Sequence, residues 1–115
     1  MKPAIDNFLP LAPATLHILL TLAGEDLHGY GIMQEVARQS DGRYKLGPGT
    51  LYDNLQRLMK QGLVEETGSG EESSRRRYYR LTSLGRGVLS GEIARLEGVV
   101  KEARMRLKAP QPRRA

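Results

Sequence analysis

The sequence lacks the residue types on which many catalytic, redox and metal sites depend. Its 115 residues include no cysteine, which excludes disulfides, thiolate metal sites and cysteine nucleophiles. Tryptophan is absent as well, and only two histidines are present. His17 lies among the leucines of a helical pattern and His28 precedes another helical pattern, so we expect structural roles for both. We therefore predict no metal site, no cofactor and no enzymatic activity.

Long hydrophobic runs are also lacking. No segment approaches the roughly 18 uncharged apolar residues of a membrane span, and Asp6 together with the neighbouring prolines interrupts the apolar region that a signal peptide needs. We therefore expect a cytoplasmic protein with no membrane contact. A chain of this length suits one domain with one modest core. Its formal net charge of +5 and pI of about 9.8 favour a polyanionic partner.

Three helices are predicted in the first half of the chain. An N-terminal arm of residues 1–12, rich in proline, precedes a largely apolar helix over residues 14–23, with Pro13 in its first turn. A second helix is predicted over residues 29–40, where apolar residues recur at a spacing of three to four and Asp41-Gly42 follows as a stop signal. The third helix begins at Gly47-Pro48 and ends at Gln61-Gly62.

A hairpin and a long helix follow. Residues 63–67 and 77–81 have the composition of two strands, and alternation along the second strand directs Tyr79 and Leu81 to the core. Thr82 is a suitable N-cap for a fourth helix over residues 83–108, although four glycines weaken that helix. The basic tail of residues 109–115 is expected to be disordered.

The fourth helix has an apolar seam with the spacing of heptads, formed by Leu89, Ile93, Leu96, Val100, Ala103 and Leu107. So small a domain could not cover a seam of this length, so self-association into a homodimer through these residues is the predicted solution. The alternative is a helix that folds back on its own core.

Specific residues within this order of elements resemble the PadR family. They are His28-Gly29-Tyr30-Gly31-Ile32, Gly49-Thr50-Leu51-Tyr52, Gly62-Leu63-Val64 after Leu58, and Tyr79-Arg80-Leu81-Thr82 followed by Gly85. The resemblance covers residues 13–87 and implies a mainly α fold with a small β-hairpin wing. In the terms of that family, residues 13–82 form a winged helix-turn-helix DNA-binding domain and residues 83–108 form a dimerisation helix.

The resemblance also implies a function. PadR-like proteins are bacterial transcription regulators, mostly repressors, that dimerise through the C-terminal helix and insert the third helix into the DNA major groove. Members with short C-terminal regions often bind a small-molecule effector near the dimer interface. Two positions depart from the family pattern: Asp53 stands where proline is common, and Gly47 replaces the usual serine cap. Because Asp53 places a negative charge on the surface expected to approach DNA, the family's base preference cannot be transferred.

The third helix carries the predicted base-reading surface. Leu51, Leu55 and Leu58 define a buried stripe, and the remaining surface presents side chains that a major groove can accommodate: Thr50, Tyr52, Asp53, Gln56, Arg57 and Lys60. The alternative interpretation is an ordinary solvated helix face. Asp53 and Arg57 are spaced for an intrahelical ion pair, and Tyr52 is expected either beside Met59 at the core edge or on a phosphate.

The densest basic cluster lies at the foot of the hairpin. Arg75, Arg76 and Arg77 are predicted to contact phosphates, which supply affinity and salt dependence rather than sequence information. A solubilising patch is the alternative.

Taken together, the sequence predicts a sequence-specific DNA-binding transcriptional regulator, a repressor by family resemblance. It acts as a homodimer on a near-palindromic operator of double-stranded DNA. The rival hypothesis is a winged-helix module whose basic face binds an acidic protein.

Overall fold

The computed structural model describes residues 4–68 and 77–109. In this part of the chain a short 3-10 helix (Ile5–Phe8) precedes four α-helices, which are α1 (Pro13–Gly24), α2 (Gly29–Gln39), α3 (Pro48–Lys60) and α4 (Ser83–Lys108). The strands are β1 (Leu27–His28), β2 (Val64–Thr67) and β3 (Tyr78–Leu81). They form one antiparallel sheet in the order β1-β3-β2. The predicted fold class, mainly α with a hairpin wing, is confirmed.

The helices begin and end at the signals that the sequence indicates. The Nδ1 atom of His28 accepts a hydrogen bond of 3.0 Å from the amide of Gly31 and so caps α2. The hydroxyl of Thr82 accepts a bond of the same length from the amide of Gly85 and caps α4. Positive φ angles in Asp41-Gly42 end α2, because this conformation cannot continue a right-handed helix.

One hydrophobic core lies between the helices and the inner face of the hairpin. The predicted stripe of α3, Leu51, Leu55 and Leu58, is at most 1% exposed. Tyr79 and Leu81 both point inward, as the alternation of β3 predicts. The rest of the core comes from the apolar faces of α1, α2 and the start of α4, with Leu46, Leu63 and Val64 between them.

Two elements were not predicted from the sequence. Strand β1 has two residues, Leu27 and His28, and exists because it pairs with Tyr79 and Tyr78 of β3. A strand of this length leaves no periodic pattern in the sequence. The 3-10 helix lies in the arm that was expected to pack without regular structure, and its contacts are with α4.

Helix α4 crosses the base of the hairpin so closely that its backbone contacts the backbone of Leu63. A Cβ atom on Gly85 would collide with the carbonyl oxygen of Leu63. The amide of Thr82 donates a hydrogen bond of 3.1 Å to that same carbonyl. Gly85 is therefore required by packing, and the α4 helix is continuous despite its four glycines.

The N-terminal segment, residues 4–12, packs along α4. Ile5 lies against Gly91, where an added Cβ would come within 2.8 Å of its side chain. Next to it, Glu92 is 1% exposed, and its carboxylate accepts hydrogen bonds from the guanidinium of Arg95 and from the amide of Leu11. The hydrogen bond from Arg95 is the main cause that lowers the pKa of Glu92, and it outweighs the opposing effect of burial.

Beyond Glu92, helix α4 leaves the rest of the protein. Every residue from Ile93 to Lys108 is exposed except Leu96, which is half-buried. The projecting helix gives the molecule extents of 68 × 39 × 22 Å. Although α4 has 26 residues, neither it nor any other helix within residues 4–68 and 77–109 is both long and apolar enough to cross a membrane.

The contact at Gly85 yields a paired prediction on stability. Gly85→Ala is expected to lower the free energy of unfolding by about 1–3 kcal/mol, because the new methyl group overpacks against the Leu63 backbone. Gly98→Ala is the control, since no atom lies within 4 Å of a Cβ there, and it is expected to raise stability by about 0.5–1 kcal/mol. Urea denaturation at one protein concentration measures both. Equal effects of the two substitutions would contradict the packing role of Gly85.

Candidate nucleic-acid interface

Helix α3 presents a polar face to solvent. All six side chains singled out on this helix are exposed: Thr50, Tyr52, Asp53, Gln56, Arg57 and Lys60. Their exposure follows from burial of the leucine stripe on the opposite side of the helix. The face therefore offers hydroxyl, carboxylate, amide and cationic groups together, which are the groups that can distinguish base edges in a major groove.

The N-terminal end of α3 is open. Gly47 is the N-cap and contributes no side-chain hydrogen bond, and Pro48 occupies the first turn. Amides of the first turn therefore remain available at the positive end of the helix dipole. Among the described residues, an added Cβ at Gly47 or Gly49 would meet no atom within 4 Å, so there is open space beside both glycines.

Tyr52 joins α3 to the start of α2. Its hydroxyl lies directly against Gly29, where a Cβ atom would collide with it. The residue nevertheless remains 48% exposed. The contact with Gly29, at the start of α2, is one that neither expected position of Tyr52, beside Met59 or on a phosphate, had included. Gly29 is required because only a residue without a side chain leaves space for the Tyr52 ring.

Arg57 is held by a buried polar network between α1 and α3. Its guanidinium donates hydrogen bonds to the hydroxyl of Thr15 and to the side-chain oxygen of Asn54. Thr15 and Asn54 are 6% and 7% exposed and are joined by a hydrogen bond of 2.8 Å. The expected ion pair with Asp53 is absent from the ion pairs of the described residues. Arg57 is therefore bound both to Asn54 of its own helix and to Thr15 of α1.

Sequence reasoning overlooked two cations in the connection between α2 and α3. Arg43 and Lys45 are exposed, and neither forms an ion pair within the described residues. The connection itself is anchored, because the ring of Tyr44 stacks on His17 at 4.6 Å and the amide of Tyr44 donates to the hydroxyl of Ser40. Alternation of basic and aromatic residues ahead of a helix was the available signal.

The described part of the wing is close to electrically neutral. Arg77 lies 3.3 Å from the carboxylate of Glu66, and Arg80 lies between Asp26 and Glu65 at 3.4 and 3.6 Å. All of these side chains are at least one-third exposed, so the pairs contribute little to stability. The two other arginines of the predicted cluster, Arg75 and Arg76, fall outside the described residues.

The inner face of the wing carries a perturbed tyrosine. Burial is the main cause that raises the pKa of Tyr79, and the Glu66 carboxylate raises it further. Glu66 is the cross-strand partner of Tyr79. The phenol of Tyr79 therefore stays protonated at neutral pH and serves the core, as the inward orientation requires.

The apolar row on α4 divides into two parts. Leu89 is 8% exposed and already packs in the core of its own protomer, so it offers no surface to a partner. From Ile93 onward the row is uncovered, with exposures of 39% at Ile93, 47% at Val100 and 86% at Leu107. Leu96 is half-buried and Ala103 is exposed. Only the first part of α4 therefore packs against the core of its own protomer.

Three helices, a β-hairpin wing and an exposed polar face on the third helix define a winged helix-turn-helix protein. The model of the PadR-like family of transcriptional regulators matches residues 18–91. The chain therefore belongs to the PadR-like family. This match confirms the family resemblance of the helix-turn-helix and wing motifs.

Relatives in sequence and structure agree with this assignment. A transcriptional regulator of Mycobacterium tuberculosis is 36% identical over 91 residues, which are 79% of this chain and 82% of the relative. A PadR family transcription regulator from Clostridium difficile has a TM-score of 0.72 at 28% identity and covers 84% of this chain and 99% of its own. A transcriptional regulator from Clostridium thermocellum has a TM-score of 0.69 at 28% identity, with coverage of 91% and 97%.

The polar network under α3 yields a second prediction. Asn54→Ala removes the acceptor shared by Thr15 and Arg57 and is expected to lower the free energy of unfolding by about 1–3 kcal/mol. Gln56→Ala is the matched control, because Gln56 lies on the same helix and is exposed, and it is expected to change stability by less than about 0.5 kcal/mol. Thermal or urea unfolding distinguishes the two. If Asn54→Ala left the free energy of unfolding unchanged, the network would not stabilise the α1–α3 contact.

Proposed function

We propose that this protein is a cytoplasmic transcriptional repressor that binds a near-palindromic operator as a homodimer. The observation that carries the proposal is the exposed polar face of α3, opposite its fully buried leucine stripe. In this proposal α3 enters the major groove, where Gln56 suits adenine, Asp53 suits the cytosine amino group and Thr50 suits a thymine methyl group. Lys60 and the α3 amides suit phosphates.

Phosphate contacts on either side of α3 complete the proposed interface. The arginines 75–77 of the wing are candidates on one side. Arg77 has to exchange its partner Glu66 for a phosphate. Arg43 and Lys45 are candidates at the other end, since they are exposed and lie just ahead of the open N-terminus of α3. Arg57 contributes charge to this surface, but its guanidinium would have to release Thr15 and Asn54 to reach a base.

The uncovered row on α4 supports the homodimer. An amphipathic helix that projects from a small domain is stabilised when its apolar side chains meet the same row of a second copy. We assign the interface to Ile93, Leu96, Val100, Ala103 and Leu107, and leave Leu89 to the core. A two-fold dimer of this kind places two α3 helices about 34–36 Å apart, one turn of DNA.

A small-molecule effector, if one acts, is proposed to bind between the paired α4 helices. Such a ligand can release DNA only if it binds unequally to the DNA-competent state and to the other state of the dimer. Because the sequence contains no tryptophan to enclose a planar compound, a smaller effector fits better than a large planar one.

Selection from a pool of random duplex DNA tests the operator proposal. We expect a palindromic winner that binds about a thousandfold or more tightly than a scrambled duplex. Titrations at two salt concentrations should show a salt dependence shared by both duplexes, because phosphate contacts are common to them. Recovery of no motif, together with weak binding controlled only by salt, would contradict the proposal and favour the module that binds an acidic protein.

The proposed dimer interface on α4 is tested separately. Ile93→Glu with Leu96→Glu is expected to yield monomers by light scattering, because carboxylates would be buried in an apolar contact. Ala94→Glu with Met105→Glu is the control: both side chains are exposed and apolar, and both lie about 140–160° around the helix from the middle of the apolar row. This control should remain dimeric. A persistent dimer in the first variant would place the interface elsewhere.

A further inference from the structure

The N-terminal segment and α4 are joined by a buried polar contact. Both oxygens of the Glu92 carboxylate are used: one accepts from Arg95 Nε at 2.7 Å, and the other accepts from Arg95 Nη2 at 2.9 Å and from the amide of Leu11 at 3.1 Å. Glu92 is 1% exposed. A charge buried to this degree is costly unless its polar atoms have partners, and here both oxygens have them.

Small residues of α4 complete the contact. Gly87 and Gly91 lie one turn apart on the same side of the helix, and Ile5 lies over both of them. Leu9 also reaches Gly91. The segment therefore touches the helix through three of its residues, Ile5, Leu9 and Leu11. We call these contacts with Gly87, Gly91 and Glu92 the N-terminal clamp.

The clamp is located where α4 leaves the protein body. Glu92 is the last buried residue of the helix, and Ile93 is the first residue of the exposed row. On the other side of the clamp, the segment continues without a break into α1 at Pro13. The clamp therefore connects the body to the helix at the level where α4 passes from the core into solvent.

We propose that the N-terminal clamp, with Glu92 as its positioning residue, fixes the direction of α4 and so sets the half-site spacing that the dimer accepts on DNA. This inference rests on the proposed function. The part of α4 beyond Glu92 has 16 residues and is about 24 Å long. A change of about 10° in its direction moves its far end by about 4 Å, close to the rise of one base pair, about 3.4 Å.

Substitution of Glu92 is the central test. Glu92→Gln replaces one acceptor oxygen by a donor that opposes the Leu11 amide and Arg95. Glu102→Gln is a closely matched control, because it makes the same change on the same helix and breaks a 2.7 Å pair with Arg106, but in the exposed half. Ile5→Ala is a second way to loosen the clamp and leaves the carboxylate in place.

The first readout is affinity for a panel of duplexes in which the two half-sites of the selected operator are moved apart or together by one or two base pairs. The wild type and Glu102→Gln are expected to prefer one spacing by about tenfold or more, the order of loss for one mismatched base pair. Glu92→Gln and Ile5→Ala should reduce this preference to about threefold or less. A loss of stability alone would lower affinity for every spacing equally.

The second readout does not depend on DNA. Because the chain has no cysteine, spin labels can be attached to single cysteines introduced at the exposed positions Gln34 and Met105. Labelled chains diluted with unlabelled protein report the distance from α2 to the distal part of α4. A narrow distribution is expected in the wild type and in Glu102→Gln, and a broader or shifted one in Glu92→Gln and Ile5→Ala.

The outcomes separate the two proposals. If the wild type selects no operator while the distance distribution broadens in both clamp variants, the proposed function fails but the positioning role of Glu92 stands. If an operator is found and both clamp variants keep the wild-type spacing preference and the wild-type distance distribution, the clamp proposal is overturned.

Discussion

The close approach of α4 to the turn after α3 is the constraint on which the rest of the structure depends. The carbonyl of Leu63 accepts a hydrogen bond from Thr82, while Gly85 passes against the same peptide group. The hydroxyl of Thr82 also reaches the carbonyl of Gly62 at 2.7 Å, and Gly62 has a positive φ of 79° that ends α3 and starts the hairpin. One small junction thus sets how α3, the wing and the start of α4 lie relative to one another.

Local sequence patterns predicted most of this fold. The stripe of α3, the alternation in β3, the cap at Thr82 and the extent of α4 each come from a periodicity or capping signal within a few residues. The elements that local patterns did not predict depend on contacts between residues that are far apart in the sequence. Strand β1 needs the edge of β3, and the N-terminal segment needs a groove about 80 residues later in the chain.

The candidate DNA surface was predicted less completely, and the reason is again physical. Exposure of a helix face follows from its period, so all six α3 residues lie where expected. The direction of a long side chain does not follow from the period, as Arg57 demonstrates by turning toward α1. No local pattern marks Glu92 as buried, because its burial depends on the distant N-terminal segment. The sequence likewise could not reveal that Arg77 and Arg80 lie beside carboxylates.

Strand β3 passes into α4 with only Thr82 between them, and this direct connection bears on how such proteins can diversify. The first turns of α4 supply Val88 and Leu89 to the core as well as Glu92 to the clamp. A chimaera that exchanges the helix between two relatives would damage the core if it were joined at Thr82. Recombination after Glu92 would leave the winged helix whole, so only the distal part of α4 behaves as an exchangeable module.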